Sequence, residues 1–505
     1  MSFNLATILT ESAQSHPTKV AVISGDHRMT YAELDAASDR FAVGLQLRGL
    51  RPGDTAGLQL PNLPQFVIAY FGLLKAGVIA VPMNVLYKAD EIAYILRDAE
   101  AQMLITWSGV AAEACAGAAQ AGVDDIVAVT TPGSTAPEGS TPFDAMLTKA
   151  PGETAQAHPT DPGDTAVIVY TSGTTGRPKG AELTHFQLFM NADTPGRLFG
   201  VRDDDVILVV LPLFHIFALS SILDVAVRFA ATMTLVARFD PDAVLATIER
   251  DQVTVFEGVP TMYIALLNHP GLDRYDVSSL RVGISGGAPI PAAVIDEFEK
   301  RFGIVILEGY GLSETASTTT FNISADDRRV YSVGRPIWGV RVQVWNDKGE
   351  VLPPGRDNIG ELMVSGVNVM RGYRGNPEAT GEAFTRGWFH TGDLGYVDED
   401  GYFFVVDRKK ELIIRGGYNV YPREVEDALY THPDVAQAAV VGVPHELLGQ
   451  EVKAYVALRP GRQVGTDELI AHVKARIAPY KYPRMIEFRA QLPVTAAGKI
   501  LKRVL

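Results

Sequence analysis

The segment Tyr170-Thr171-Ser172-Gly173-Thr174-Thr175-Gly176-Arg177-Pro178-Lys179-Gly180 constrains this chain more than any other. It follows directly on Ala166–Tyr170, an apolar, β-branched run that predicts a buried strand. Glycines at 173, 176 and 180 let a backbone approach an anion closely, while the hydroxyls of Thr171, Ser172, Thr174 and Thr175 add donors. Lys179 supplies positive charge for a polyphosphate. The spacing is not G-x-x-x-x-G-K-[ST], because only two residues separate Gly173 from Gly176 and Gly180 follows the lysine. A strand that delivers a phosphate loop at its end predicts an α/β fold, and the neighbouring sequence agrees. Runs such as Ala56–Leu60, Met103–Thr106, Ile126–Val129, Val206–Leu211, Met233–Val236 and Val253–Glu257 alternate with helical patterns, as in a mostly parallel sheet wrapped by helices on both faces. One such helix opens at Thr30, a capping residue with Glu33 three positions on.

At 505 residues the chain has room for about three folding units. Its texture changes near residue 330, where Val340–Trp345, Gly360–Ser365 and Tyr402–Val406 are short strands separated by turns. The charged run Asp407-Arg408-Lys409-Lys410-Glu411 then marks a boundary. The expected division is a large N-terminal domain, 1–409, with a β-rich subdomain at about 331–409, and a small mobile α+β domain, 410–505. Residues 131–164, rich in Pro, Gly, Thr and Ala, are expected to be a mobile connection. A net charge of −14 excludes a broad basic field for nucleic acid. The single cysteine, Cys115, excludes an internal disulfide framework and fits a reducing compartment. The first thirty residues lack a leader pattern, and the apolar stretches Phe66–Tyr87 and Val206–Val236 are interrupted by Lys75 and by Pro212, His215, Asp224 and Arg228. A cytoplasmic protein without a transmembrane segment is expected, with at most weak contact to a membrane surface.

The loop resembles the signature of the adenylate-forming superfamily, which includes acyl-CoA synthetases, coumarate-CoA ligases, luciferases and peptide-synthetase adenylation domains. Further matching segments occur in the family's order: Gly283–Pro289, Glu308-Gly309-Tyr310-Gly311-Leu312-Ser313-Glu314-Thr315, Gly334-Arg335-Pro336, Gly387–Asp393, Asp407-Arg408, Gly416–Pro422 and Pro493–Lys499. The resemblance implies activation of a carboxylic acid by ATP with release of pyrophosphate, then transfer of the acyl group to CoA. It is closest in kind to a bacterial fatty-acid–CoA ligase, acting as a monomer or homodimer on a small-molecule acid. By the same resemblance, Thr171 to Gly176 and Lys179 hold the triphosphate, and Glu314 holds Mg²⁺ with Thr174 or Thr175. Gly287, Ala288, Pro289, Glu308, Gly309, Tyr310, Gly311, Ser313 and Thr315 surround the nucleotide, and Asp393 and Arg408 take the ribose. Lys499 contacts the carboxylate and the AMP phosphate. Lys410 is the hinge about which the C-terminal domain turns, and Gly416 and Gly417 flank the CoA channel, with Arg415, Lys474, Arg476 and Lys481 as cations for CoA phosphates.

The acyl pocket is implied to include His215, Phe217, Val259, Met262 and Gly309, and Phe256 also suggests an apolar wall. Dicarboxylate-specific members carry an arginine shortly after the tyrosine that Tyr263 matches. Here Ile264 and Ala265 follow, so a second carboxylate would lack its partner unless Arg228 supplied one. A medium- or long-chain fatty acid is the expected substrate, with an aryl acid as the alternative. A fatty acyl-AMP ligase loading a carrier protein is disfavoured, since no extra segment lies between Gly334 and Asp393 and no carrier domain follows Lys499. A luciferase-like reading is disfavoured by Phe214 beside His215, and a catalytically dead regulator by the presence of Lys179, Glu314 and Lys499 together.

Overall fold

The computed structural model describes residues 2–131, 133–148, 157–171, 177–324 and 326–505. Two sheets form the centre of the large domain. In one, the strands Thr232–Leu235, Val206–Val209, Val255–Gly258, Val282–Ser285 and Val305–Tyr310 lie side by side in that order, all parallel. In the other, Thr55–Gln59, Ile79–Pro82, Ala101–Trp107 and Ile126–Val129 run parallel, and Thr165–Thr171 joins beside Ile79–Pro82. Lys179–Thr184 returns antiparallel to Thr165–Thr171, which sets Thr171 opposite Lys179.

Helix Pro64–Ala76 is buried from Phe66 to Ala76, as a helix apolar on every side must be. Its exception, Lys75, is neutralised by Asp35 and Asp39, each at 2.6 Å. The helix Tyr31–Leu47 starts as its sequence predicts. The Glu33 amide donates to Thr30 Oγ1 at 3.2 Å, and the Thr30 amide donates to Glu33 at 2.8 Å.

Strand order decides which face of the first sheet each helix covers. The connection from Val206–Val209 to Thr232–Leu235 moves towards one edge, whereas those leading on to Val255–Gly258, Val282–Ser285 and Val305–Tyr310 move towards the other. Right-handed crossovers therefore put the helical segment Phe217–Arg228 on one face and the helices Pro241–Asp251, Pro260–Leu267 and Ala292–Phe302 on the opposite one. The rings agree: Phe256 meets Tyr263 at 4.9 Å and Phe298 at 6.5 Å between centroids.

A β-rich subdomain follows, with Val340–Trp345, Gly360–Gly366, Trp388–Val397 and Phe403–Arg408 around a small core of Val333, Val344, Leu362 and Phe403. Beyond it, Ile413–Arg415, Tyr418–Val420, Val435–His445, Gly449–Leu458 and Met485–Phe488 build a separate sheet covered by helices Pro422–Tyr430 and Thr466–Lys474. The chain is thus an α/β protein with a large domain of parallel sheets, a β-rich subdomain and a small C-terminal domain. Among the described residues no helix is long and apolar enough to cross a membrane.

The structure corrects one expectation. Residues 131–164 are not uniformly a loose connection, because Thr141–Pro142 adds a strand to the sheet edge and Phe143–Leu147 forms a short helix. Phe143 and Met146 are the reason: both are buried, and the Phe143 ring stacks on Phe41 at 5.0 Å.

Candidate active site

Of the predicted phosphate loop, Ser172, Gly173, Thr174, Thr175 and Gly176 lie outside the described residues. Its two ends are visible. Thr171 and Lys179 sit opposite each other across the antiparallel pair, and the Lys179 ammonium lies 5.2 Å from the centre of the Tyr373 ring. Thr171 Oγ1 and the Tyr373 hydroxyl both donate to Glu314 Oε1, at 3.2 and 3.1 Å. Glu314, Lys179 and the start of the loop are therefore brought together by the fold. Glu314 is carried on a short turn whose geometry is held by Thr315. The Leu312 amide donates to Thr315 Oγ1 at 2.8 Å, and that hydroxyl donates back to the Leu312 carbonyl at 3.1 Å. Thr315 is fully buried, and its hydroxyl fixes this turn. Gly311 is required by the same turn, since a Cβ there would collide with the Ser317 carbonyl. Ser313 is half-buried beside Glu314.

Among the described residues no three metal-binding side chains converge. A single carboxylate still suits Mg²⁺ bound chiefly through phosphate oxygens and water, so Glu314 fits that ion's habits.

At the other end of the cleft, Asp393 and Arg408 face each other across the strands Trp388–Val397 and Phe403–Arg408. Arg408 Nε is 3.2 Å from one Asp393 oxygen, and the Tyr310 hydroxyl donates to the other at 2.7 Å. Burial raises the Asp393 carboxyl above its ordinary range, opposed by the Arg408 charge and the Tyr310 hydrogen bond. Glu308 is buried as well, and desolvation pushes it up to about 7 despite the Arg423 guanidinium of the C-terminal domain. Gly287 has φ +78° and stands exposed at the cleft with Ala288 and Pro289 beside it.

Lys499 reaches this cleft from the far end of the chain. The Thr495 amide donates to the Lys499 carbonyl at 2.7 Å, and the Lys499 amide donates to Thr495 Oγ1 at 3.1 Å, closing a tight loop. Gly498, at φ +80°, is its corner. Thr261 Oγ1 of the large domain donates to the Gly498 carbonyl at 2.7 Å. Any Cβ on Gly287 would lie 3.0 Å from Lys499 Cε, so the lysine runs along a bare glycine backbone. Burial, helped by the nearby Arg408 charge, lowers the Lys499 pKa to about 8. His215 feels the same enclosure: burial and the Lys499 charge bring its pKa down to about 3. Its Nδ1 accepts from the Phe217 amide at 3.3 Å, so the neutral ring carries its proton on Nε2 as a donor.

Behind His215 the wall is apolar. Phe217 packs against Gly286, where a Cβ would come within 3.0 Å of its ring, and Val259 and Met262 are buried. Gly309 leaves room for Phe321, whose ring would lie 2.8 Å from a Cβ at that position. Phe256 does not belong here: strand alternation turns it towards Tyr263 on the opposite face. The same alternation turns Glu257 towards the helix Phe217–Arg228, a residue that the sequence reading passed over. A carboxylate set within the apolar strand was the available signal. Arg228 lies away from the pocket, at 2.9 Å from Asp193 and 3.7 Å from Glu11.

In the C-terminal domain, Lys410 lies exposed in the turn between Phe403–Arg408 and Ile413–Arg415. Gly416 and Gly417 have φ of +56° and +84° and form the two-residue turn of a hairpin, a conformation that by itself explains both glycines. Two of the expected CoA-attracting cations are already paired. Arg415 holds Glu451 at 2.5 Å and Lys481 holds Glu424 at 2.7 Å, while Lys474 lies 5.7 Å from the Tyr482 ring and Arg476 donates to the His472 carbonyl at 2.7 Å.

With this geometry in place, similarity to known proteins is decisive about class. Residues 9–374 match the AMP-binding enzyme family, and residues 424–499 match the AMP-binding enzyme C-terminal domain. The chain belongs to the AMP-binding enzyme family. It is 38% identical to a long-chain-fatty-acid–CoA ligase of Bacillus subtilis (strain 168), covering 99% of this chain and 93% of that protein. It is 39% identical to a feruloyl-CoA synthase of Amycolatopsis, covering 97% and 96%. Among solved structures, an anthranilate CoA ligase in complex with anthranoyl-AMP superimposes with a TM-score of 0.93 at 30% identity, covering 99% and 96% of the two chains. Joining an acid to CoA at the expense of ATP is the activity of the class these relatives define.

Proposed function

We propose that this protein is an AMP-forming acyl-CoA ligase acting on a carboxylic acid with a predominantly apolar tail, a medium- or long-chain fatty acid or an aryl acid of similar reach. The observation that carries this reading is the position of Lys499, docked beside Gly287 and within the electrostatic reach of His215, Asp393 and Arg408. In the first half-reaction a carboxylate oxygen attacks the α-phosphorus of ATP, and the bond to the pyrophosphate oxygen breaks. Lys499 offsets charge on the carboxylate and the α-phosphate. Asp393 accepts from the ribose hydroxyls with Arg408 and Tyr310 holding it, and Lys179 faces the departing phosphates. Mg²⁺, held by Glu314, would neutralise phosphate charge.

The second half-reaction brings the CoA thiol to the acyl carbonyl, and AMP leaves. Lys499 then occupies ground that the thiol needs. The reading therefore includes rotation of residues 410–505 about Lys410, whose exposure in a turn joining two separately cored units suits a backbone pivot. Acid specificity follows from the lining. Arg228 lies away from the pocket, paired with Asp193 and Glu11, which disfavours a second carboxylate there.

The test is a panel of fatty, aryl and dicarboxylic acids with ATP, Mg²⁺ and CoA, scored separately for pyrophosphate and thioester. Both products with apolar-tailed acids are expected. Pyrophosphate from none of them would end the proposal.

A further inference from the structure

Glu257 is fully buried, and neither of its carboxyl oxygens finds a hydrogen-bond partner among the described residues. Such a group is costly unless something else satisfies it. Its neighbours define where it points. Phe256, Gly258 and Gly283 face Tyr263, so Glu257 stands on the face covered by the helix Phe217–Arg228, the face to which Gly309 also belongs. Glu257 is aligned with Ile284 and through it with Leu307, two residues before Gly309. Strand geometry sets Glu257 about 7 Å deeper than Gly309 and about 10 Å sideways. The covering helix contributes two more unpartnered buried atoms, Ser220 Oγ and Asp224 Oδ1. Its first two turns, Phe217–Asp224, are wound as a π-helix, a distortion common where a helix lines a site.

We infer that Glu257 is a specificity-determining residue at the deep end of the acyl pocket, where it binds a neutral oxygen function, a hydroxyl or carbonyl, on the tail of the acid. This deepens the ligase reading and rests on it. Burial holds the Glu257 carboxyl well above its usual range, so it is a neutral acid with one donor and free acceptor capacity. That chemistry matches an uncharged oxygen better than an ammonium or a second carboxylate. A tail oxygen that reaches this depth, about 7 Å below Gly309, suits a ring-hydroxylated arylpropanoid or a hydroxy acid of medium length. A pocket that hydrogen-bonds such an oxygen rejects the analogue lacking it far more strongly than an apolar pocket rejects the loss of a methylene.

The experiment compares matched pairs: phenylpropanoate with its para-hydroxy counterpart, and octanoate with its terminally hydroxylated counterpart. Pyrophosphate-release kcat/KM is measured for the unaltered protein, Glu257→Leu and Glu257→Gln, with thermal melting to verify folding. The expected result is at least about a tenfold preference for one or both hydroxylated acids. In Glu257→Leu that preference falls to unity or reverses while the plain acid is used at least as well. In Glu257→Gln, which keeps a donor and an acceptor, part of it survives. Equal preference ratios in the unaltered protein and Glu257→Leu, or a preference of the unaltered protein for both plain acids, would overturn the inference while leaving the ligase reading intact. Absence of pyrophosphate with every acid would overturn both.

Discussion

Thr261 and Gly498, 237 positions apart in the chain, are joined by a hydrogen bond of 2.7 Å that moors the Lys499 loop to the large domain. It is a direct polar link between the helix Pro260–Leu267 and the loop that carries the lysine. A neutral hydrogen bond of this kind is worth about 1 kcal/mol. Thr261→Val is therefore expected to slow ATP–pyrophosphate exchange about fivefold and to leave thiolysis of supplied acyl-AMP within about twofold. The two half-reactions are assayed separately to check this.

In the proposed adenylation step Lys499 acts as a cation, and in the free protein its pKa is lowered to about 8. The charged form predominates below that value and is lost above it. The kcat/KM for adenylation should accordingly fall about tenfold per pH unit above pH 8. Lys499→Arg should be slower at pH 7 yet lack that alkaline limb, because a guanidinium remains charged. No limb near pH 6.5 is expected from His215, whose ring is already neutral there.

Glu308 gives a prediction about stability. Its folded pKa is raised to about 7 by burial, whereas an unfolded glutamate titrates near 4.5. Between those values the folded chain holds a proton that the unfolded chain has released, so this group makes stability fall as pH rises from about 4.5 to about 7. Glu308→Gln removes that dependence. Its unfolding midpoint should exceed that of the unaltered protein by about 2 °C or more at pH 8 and match it near pH 4.5, as read by calorimetry.

Lys410→Pro fixes φ at the turn between the two units. Pyrophosphate exchange should survive within a few-fold, and thioester formation should drop by at least about tenfold. Preservation of both rates would move the pivot away from Lys410.

The fold was largely legible because local signals agreed with one another. Thr30 and Glu33 announced a helix that caps as expected, and the alternation of apolar runs announced parallel sheets. Contacts between distant segments decide the rest, and these leave no local mark in the sequence. Phe143 and Met146 look like parts of a Pro/Gly-rich linker until Phe41 and Gly44 are seen to receive them. Phe256 suggests an apolar pocket wall from sequence alone, yet its ring meets Tyr263, and strand alternation turns the adjacent Glu257 to the other face. Which side of the sheet covers the pocket depends on strand order, and strand order is not a local property. Arg415 and Lys481 looked available as cations until their carboxylate partners, Glu451 and Glu424, were brought to them by folding.

The most direct measurement is the pair of half-reactions in Lys499→Ala. The account predicts that ATP–pyrophosphate exchange falls by at least about a hundredfold, while thiolysis of supplied acyl-AMP by CoA stays near that of the unaltered protein. Equal loss of both, or exchange that persists without the lysine, would contradict it.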